Sequence, residues 1–219
     1  MSRAFEKLAE EKQQVILKVC IEEFAKNGYE KTTTEMITKR AGISKGLIFH
    51  YFGSKKNLFL YIVKYVYELL ADANEKEFLE GSSSTEFFER VKDLFIIKSK
   101  LSSQYFYENQ FILNTFFHPP VALKEEINKL YTEHLKTYKS IDALQKVFKK
   151  ELINEERLRE GITPNRVLRM TMFIVEQLTN KFILTLTKQE KIEFHVKDLE
   201  PIITELEDYL EIVKLGVYK

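Results

Sequence analysis

Apolar residues recur along this chain every three to four positions, in runs broken by short polar or glycine-containing stretches. That period puts them on one side of a helix, and no stretch shows the period-two alternation of a half-buried strand. The first predicted helix runs from Glu6 to Lys26, with Leu8, Val15, Ile16, Val19, Cys20 and Phe24 as its apolar stripe, and Asn27-Gly28 ends it. A second, short run contains Met36, Ile37 and Ala41 and closes at Gly42. Thr33 is its expected N-cap, with Thr32 and Glu35 as an alternative capping pair. A third runs from Lys45 to Tyr51 behind Ser44 as N-cap, with Leu47, Ile48 and Phe52 on one side. Ser54 then caps a long fourth helix, Lys55 to Leu79, whose stripe is Leu58, Ile62, Tyr65, Val66, Leu69 and Leu70.

Two short helices joined by three residues around a glycine make a helix-turn-helix. The third helix presents Lys45, His50 and Tyr51 among its polar positions, with Gly46 near its start. That composition suits a helix lying in a DNA major groove with its N-terminal end near phosphates. Thr33 and Thr34 at the start of the second helix, and Lys55 and Lys56 at the start of the fourth, offer donors to the sugar–phosphate backbone. Two lysines in a first turn oppose the helix dipole, which points to an anionic partner. The expected DNA contacts are Thr33, Thr34, Ser44, Lys45, Gly46, Leu47, His50, Tyr51, Lys55 and Lys56.

Beyond the serine-rich break at Gly81–Ser84 the pattern stays helical and becomes rich in phenylalanine and tyrosine. The expected helices are Thr85–Lys100, Ser103–Phe117, Val121–Lys150, Pro164–Leu186 and Leu199–Leu215. His118-Pro119-Pro120 ends the sixth. Thr163-Pro164 starts the eighth as a cap followed by proline, and Asp198 caps the ninth. The last two carry apolar residues on more than one side, for example Phe173, Ile174, Leu178 and Phe182, so each has a second face to bury. A homodimer through these two helices follows as an expectation.

Composition sharpens the picture at one end only. Residues 1–56 carry 11 Lys+Arg against 7 Asp+Glu, whereas residues 57–219 carry 23 against 26. A basic excess confined to the helix-turn-helix end suits docking on phosphates. No apolar run reaches the roughly 18 residues of a membrane span, and the charged N-terminus has no signal-peptide core, so a cytoplasmic protein is expected. Cys20, the single cysteine, shares a stripe with Ile16 and Phe24 and reads as a core thiol. There is no phosphate-binding glycine loop, dinucleotide fingerprint or zinc-helix motif, and the four histidines lack ligand spacing. Neither an enzyme, a metal nor a cofactor is expected.

The stretch G-Y-E-K-T-T-T-E-M-I-T-K-R-A-G-I-S-K-G-L-I-F-H-Y-F-G-S-K-K-N-L, Gly28 to Leu58, resembles the N-terminal signature of the TetR family of transcriptional regulators. Gly28, Tyr29, Thr33, Thr34, Ile37, Ala41, Gly42, Ser44, Gly46, His50, Tyr51, Phe52, Lys55 and Leu58 carry the match. Two positions depart from it: Thr38 stands where the family usually has alanine, and Phe49 where it often has tyrosine, so one phosphate-contacting hydroxyl is missing. The resemblance implies an all-α protein of about nine helices. Residues 1–54 would form the DNA-binding domain and residues 55–219 an effector-binding and dimerisation domain, bridged by the fourth helix. It also implies a repressor of a palindromic operator, released by a small effector. Phe88, Phe95, Phe106, Tyr107, Phe111, Tyr131, His134 and Phe173 are the expected lining of the effector pocket, and their aromatic character favours an apolar or aromatic ligand. The alternatives are a helical protein–protein interaction module without DNA binding and a DNA-binding activator that needs no ligand.

Overall fold

The computed structural model describes residues 3–80, 82–138, 147–188 and 199–219, and in these it is helical, without a named strand. The helices are α1 (Arg3–Glu6), α2 (Glu10–Lys31), α3 (Thr34–Ala41), α4 (Lys45–Phe52), α5 (Lys55–Glu80), α6 (Phe87–Gln104), α7 (Phe106–Phe117), α8 (Lys124–Tyr138), α9 (Pro164–Lys188) and α10 (Glu200–Val217). They form two compact units. The first comprises residues 1–71 with 107–136, and the second residues 72–106 with 137–219.

The first unit is built around α2 and α5. Ile16, Leu17, Cys20, Ile21 and Phe24 of α2 meet Leu58, Phe59, Ile62 and Val66 of α5 in one core, which Ile37 of α3 and Ile48 of α4 complete. Phe111 of α7 enters the same core, its ring 5.4 Å from Phe59 and 6.2 Å from Phe24. Burial pushes the Cys20 thiol up to about 12, so it stays protonated as a core group. Val15, expected in this stripe, is instead 49% exposed. Its neighbour Ile16 takes the buried position, because one residue's rotation swings a side chain about 100° around the helix.

The N-terminus differs from the single helix expected to begin at Glu6. A separate turn, α1, precedes α2, and Phe5 within it is fully buried. Its ring sits edge-on to Tyr51 at 5.6 Å and Tyr61 at 5.7 Å, and 5.0 Å from Phe52. Gln13 fixes the turn by donating to the carbonyls of Glu6 and Leu8. The regular part of α2 stops where anticipated: Gly28 has a φ of 69°, a left-handed value that interrupts the helix. Thr32, fully buried, closes this end by donating to the carbonyls of Gly28 and Glu23.

The second unit packs α6, α9 and α10 against one another. Phe87, Val91, Leu94 and Phe95 of α6 are buried, as are Val167, Leu168, Val175, Leu178 and Phe182 of α9 and Ile202, Leu206 and Leu210 of α10. α6 starts at Phe87, two residues later than expected, because Glu86 caps it and accepts from the Glu89 amide at 2.8 Å. Pro164 opens α9 as the sequence implies. Arg90 is almost fully buried. Nε and Nη1 donate to the carbonyls of Val147 and Ser82, and burial lowers its pKa. The helix expected over Val121–Lys150 is described as a 3-10 turn, Val121–Leu123, followed by α8 to Tyr138. Residues 139–146, the cap expected at Asp198 and Gly81 of the serine-rich break lie outside the described residues.

Candidate nucleic-acid interface

The helix-turn-helix is set by three local signals. Thr33 adopts extended backbone and its hydroxyl accepts from the Met36 amide at 3.1 Å, which settles the choice between the two possible caps of α3. Gly42 ends α3 in the left-handed conformation at φ 65°, a region glycine enters without the penalty other residues meet. Ser44 occupies the N-cap position of α4 with extended backbone, yet its hydroxyl makes no capping bond, so it remains available to an outside partner. At the next junction Ser54 accepts from the Asn57 amide at 3.1 Å and begins α5.

Arg40 locks α3 onto α2. Its guanidinium meets Glu22 at 2.6 Å and Glu23 at 2.7 Å, and these bonds hold its pKa above the ordinary arginine value. The departure at Thr38 is accommodated without strain on polarity: the residue is buried and its hydroxyl donates to the Glu35 carbonyl at 3.1 Å. Ile48 and Phe52 are the buried residues of α4. Leu47, expected beside them, is 38% exposed. At 3.6 residues per turn a position one before Ile48 is already turned well away from the core.

The expected DNA contacts fall into three groups. Thr33 and Thr34 start α3, Ser44, Lys45, Gly46, Leu47 and His50 lie exposed or part-exposed on α4, and Lys55 and Lys56 start α5. Tyr51 is half-buried, held between Phe5 and the ring of His50, 5.4 Å away. Three helix N-termini and the exposed side of an eight-residue helix are thereby brought together, an arrangement that can accept phosphates at its edges and base edges along its length.

The cations of this surface have internal partners that the sequence did not reveal. Lys45 lies 3.2 Å from Glu35. Lys55 donates to the Glu30 carbonyl at 3.3 Å, and its ammonium stands 4.4 Å above the Tyr29 ring. Lys56 pairs with Glu126 of α8, which holds that carboxyl below its usual range. Exposed pairs of this kind are weak, so a phosphate can displace them. Glu126 lies seventy positions from Lys56, and only the packing of α8 within the first unit brings it there. Phe49, left out of the expected contacts, is 44% exposed on α4.

The expected effector residues are distributed over both units. Tyr107, Phe111, Tyr131 and His134 belong to the first, and Phe88, Phe95, Phe106 and Phe173 to the second. Phe111 takes part in the core described above, Tyr131 stacks at 4.6 Å on Phe116, and Lys26 stands over Tyr107 at 4.7 Å. Phe88, Phe95 and Phe106 are buried, whereas Phe173 is 60% exposed. Among the described residues no group of three or more His, Cys, Asp or Glu is placed to hold a metal ion, and no helix is long and apolar enough to cross a membrane.

Comparison with known proteins agrees with this geometry. Residues 16–62, from α2 into α5, match the family of bacterial regulatory proteins described as the tetR family. The HTH-type transcriptional regulator QacR of Staphylococcus aureus is 29% identical over 180 residues, 81% of this chain and 93% of that protein. A TetR family transcriptional regulator from Chloroflexus aurantiacus superposes with a TM-score of 0.65 at 20% identity, covering 100% of this chain and 98% of the other. The transcriptional regulator FadR of Bacillus subtilis, solved in complex with stearoyl-CoA, gives 0.55 at 16% identity over 91% and 96%. These relatives are regulators of transcription rather than enzymes. Residues 16–62, which include the α3–α4 helix-turn-helix, thus match the tetR family of bacterial regulatory proteins, and the chain is similar to transcriptional regulators of that kind over most of its length.

Proposed function

We propose that this protein is a homodimeric repressor of a palindromic operator, released by a small apolar or aromatic molecule. Residues 1–54 do the reading and residues 55–219 bind the effector and the second copy, with α5 common to both roles. The observation that carries the reading is the exposed side of α4: Lys45, Gly46 and His50 stand clear of the core, beside the N-termini of α3 and α5. Within the second unit, Met170, Phe173 and Leu184 of α9 and Tyr209, Ile212 and Leu215 of α10 are 41–68% exposed. Such faces favour a second copy, and a two-fold dimer presents two α4 helices to two half-sites. The effector's class rests on the aromatic residues of the region after α5. The likeness to FadR is one of fold and does not transfer its ligand. The protein acts in the cytoplasm, where the chromosome is accessible.

A gel shift on the DNA upstream of the protein's own gene tests the first part, with a specific, salt-sensitive complex expected and none sinking it. Adding aromatic and acyl compounds to that complex tests the second. Release by at least one is expected, together with a raised melting temperature, since a ligand of the folded state stabilises it by mass action.

A further inference from the structure

Phe49 is a ring on the reading helix that the fold does not use. Ile48 and Phe52, four residues apart, mark the buried side of α4. At 3.6 residues per turn Gly46 and His50 lie opposite that side, and Phe49 lies beside them, three positions after Gly46. Its neighbours His50 and Tyr51 meet edge-on, and Tyr51 and Phe52 pack on Phe5. Phe49 has no ring partner among the described residues and is 44% exposed. Leu47, the other exposed apolar residue of α4, is differently placed: it lines a groove of 520 Å³ with Leu8, Val15 and Ile43. Phe49 is therefore the apolar group of α4 left to an outside partner.

Gly46 supports the same partner. A Cβ added there meets nothing closer than the Ser44 hydroxyl, at 3.9 Å, and the residue sits in an ordinary helix. Neither space nor backbone conformation requires glycine, and glycine weakens a helix interior relative to alanine. Its absent side chain leaves bare, exposed backbone one helical turn before Phe49, room open to something outside the molecule.

We infer that Phe49, beside the bare backbone of Gly46, reads the C5 methyl of a thymine in the major groove. The inference rests on the DNA-reading role given above to α4. An unsubstituted phenyl cannot satisfy the donors and acceptors that the bases present in that groove, and thymine alone of the four adds a methyl there. A ring that lacks a hydroxyl cannot turn to a phosphate instead, so an apolar base edge is the complementary surface.

The test selects duplexes from a random pool with the full-length protein, then replaces each selected thymine in turn by deoxyuridine, which removes the methyl alone. One thymine per bound α4 is expected to matter, with binding weakened about fourfold, the worth of one methyl taken out of contact. In Phe49→Ala that sensitivity disappears. In Gly46→Ala thymine DNA loses more affinity than uracil DNA, because the added methyl holds the ring off. Uracil DNA bound by the wild-type protein as tightly as thymine DNA, in a complex that remains specific and salt-sensitive, overturns the inference and leaves α4 as the reader. Failure to select any duplex removes the reading of α4 itself, and this inference with it. The scan on the wild-type protein decides the matter without any variant.

Discussion

The helices α4 and α9 both leave apolar side chains in solvent, and the company those side chains keep distinguishes them. On α4 the exposed residues are Lys45, Gly46, Leu47, Phe49 and His50. A cation, a bare backbone, a ring and an imidazole within six positions make a mixed surface, suited to a partner that carries both charge and apolar edges. On α9, Met170, Phe173 and Leu184 recur at helical spacing, and α10 of the same unit adds Ile212 and Leu215. Repeated apolar positions on neighbouring helices suit another apolar helical surface. Exposure by itself names no partner, because single exposed apolar residues are common on soluble proteins. The residues between them do.

The comparison breaks most severely through α9. Phe173→Glu places a charge on the face proposed to bury a second copy, where an unpaired carboxylate is costly. The variant should sediment as a monomer at micromolar concentration and lose operator affinity by about a hundredfold or more, since two joined half-sites multiply their effective concentration. Its circular dichroism should stay that of the wild type, because the side chain is already exposed. A variant that remains dimeric would remove α9 from the interface.

An intermediate effect is expected at the edge of the DNA surface. Lys55→Ala removes a cation and no base contact, so affinity should fall by a similar factor for every sequence and the salt slope should drop by about 1. Titrations at several salt concentrations on specific and random duplexes check both. An unchanged slope would mean that Lys55 serves only the Tyr29 ring and the Glu30 carbonyl it touches in the free protein.

The smallest effect separates α4 from its own neighbour α3. Glu35→Gln frees Lys45 from the carboxylate 3.2 Å away. Because an exposed pair is worth at most about 1 kcal/mol, DNA affinity should rise by no more than about fivefold, and oligomeric state should not change. Fluorescence anisotropy with a labelled operator reads the change. A fall in affinity would show that Glu35 orients Lys45 for DNA rather than competing for it.

The local signals of the sequence were sufficient wherever a structural feature depends on a few adjacent residues. The Thr33 cap, the left-handed Gly42, the Ser54 cap and proline at the start of α9 each rest on chemistry within a turn of chain, and all four stand where the residues put them. The same holds for the helix-turn-helix and the exposed side of α4, whose buried pole at Ile48 and Phe52 follows from helical period. Tertiary structure decided what depends on residues far apart. The rotation of α2 that buries Ile16 and exposes Val15 is set by α5, and period alone could not choose between adjacent apolar residues. Phe5 is fully buried only because Tyr51, Phe52 and Tyr61 form a recess for it, so a turn too short to show periodicity became part of the core. Phe111 joined the core of the first unit, and Glu126 reached Lys56, through packing that no local pattern encodes. Helix boundaries and caps are short-range equilibria written in neighbouring residues. Which face is buried, and which carboxylate meets which lysine, depends on how the helices pack.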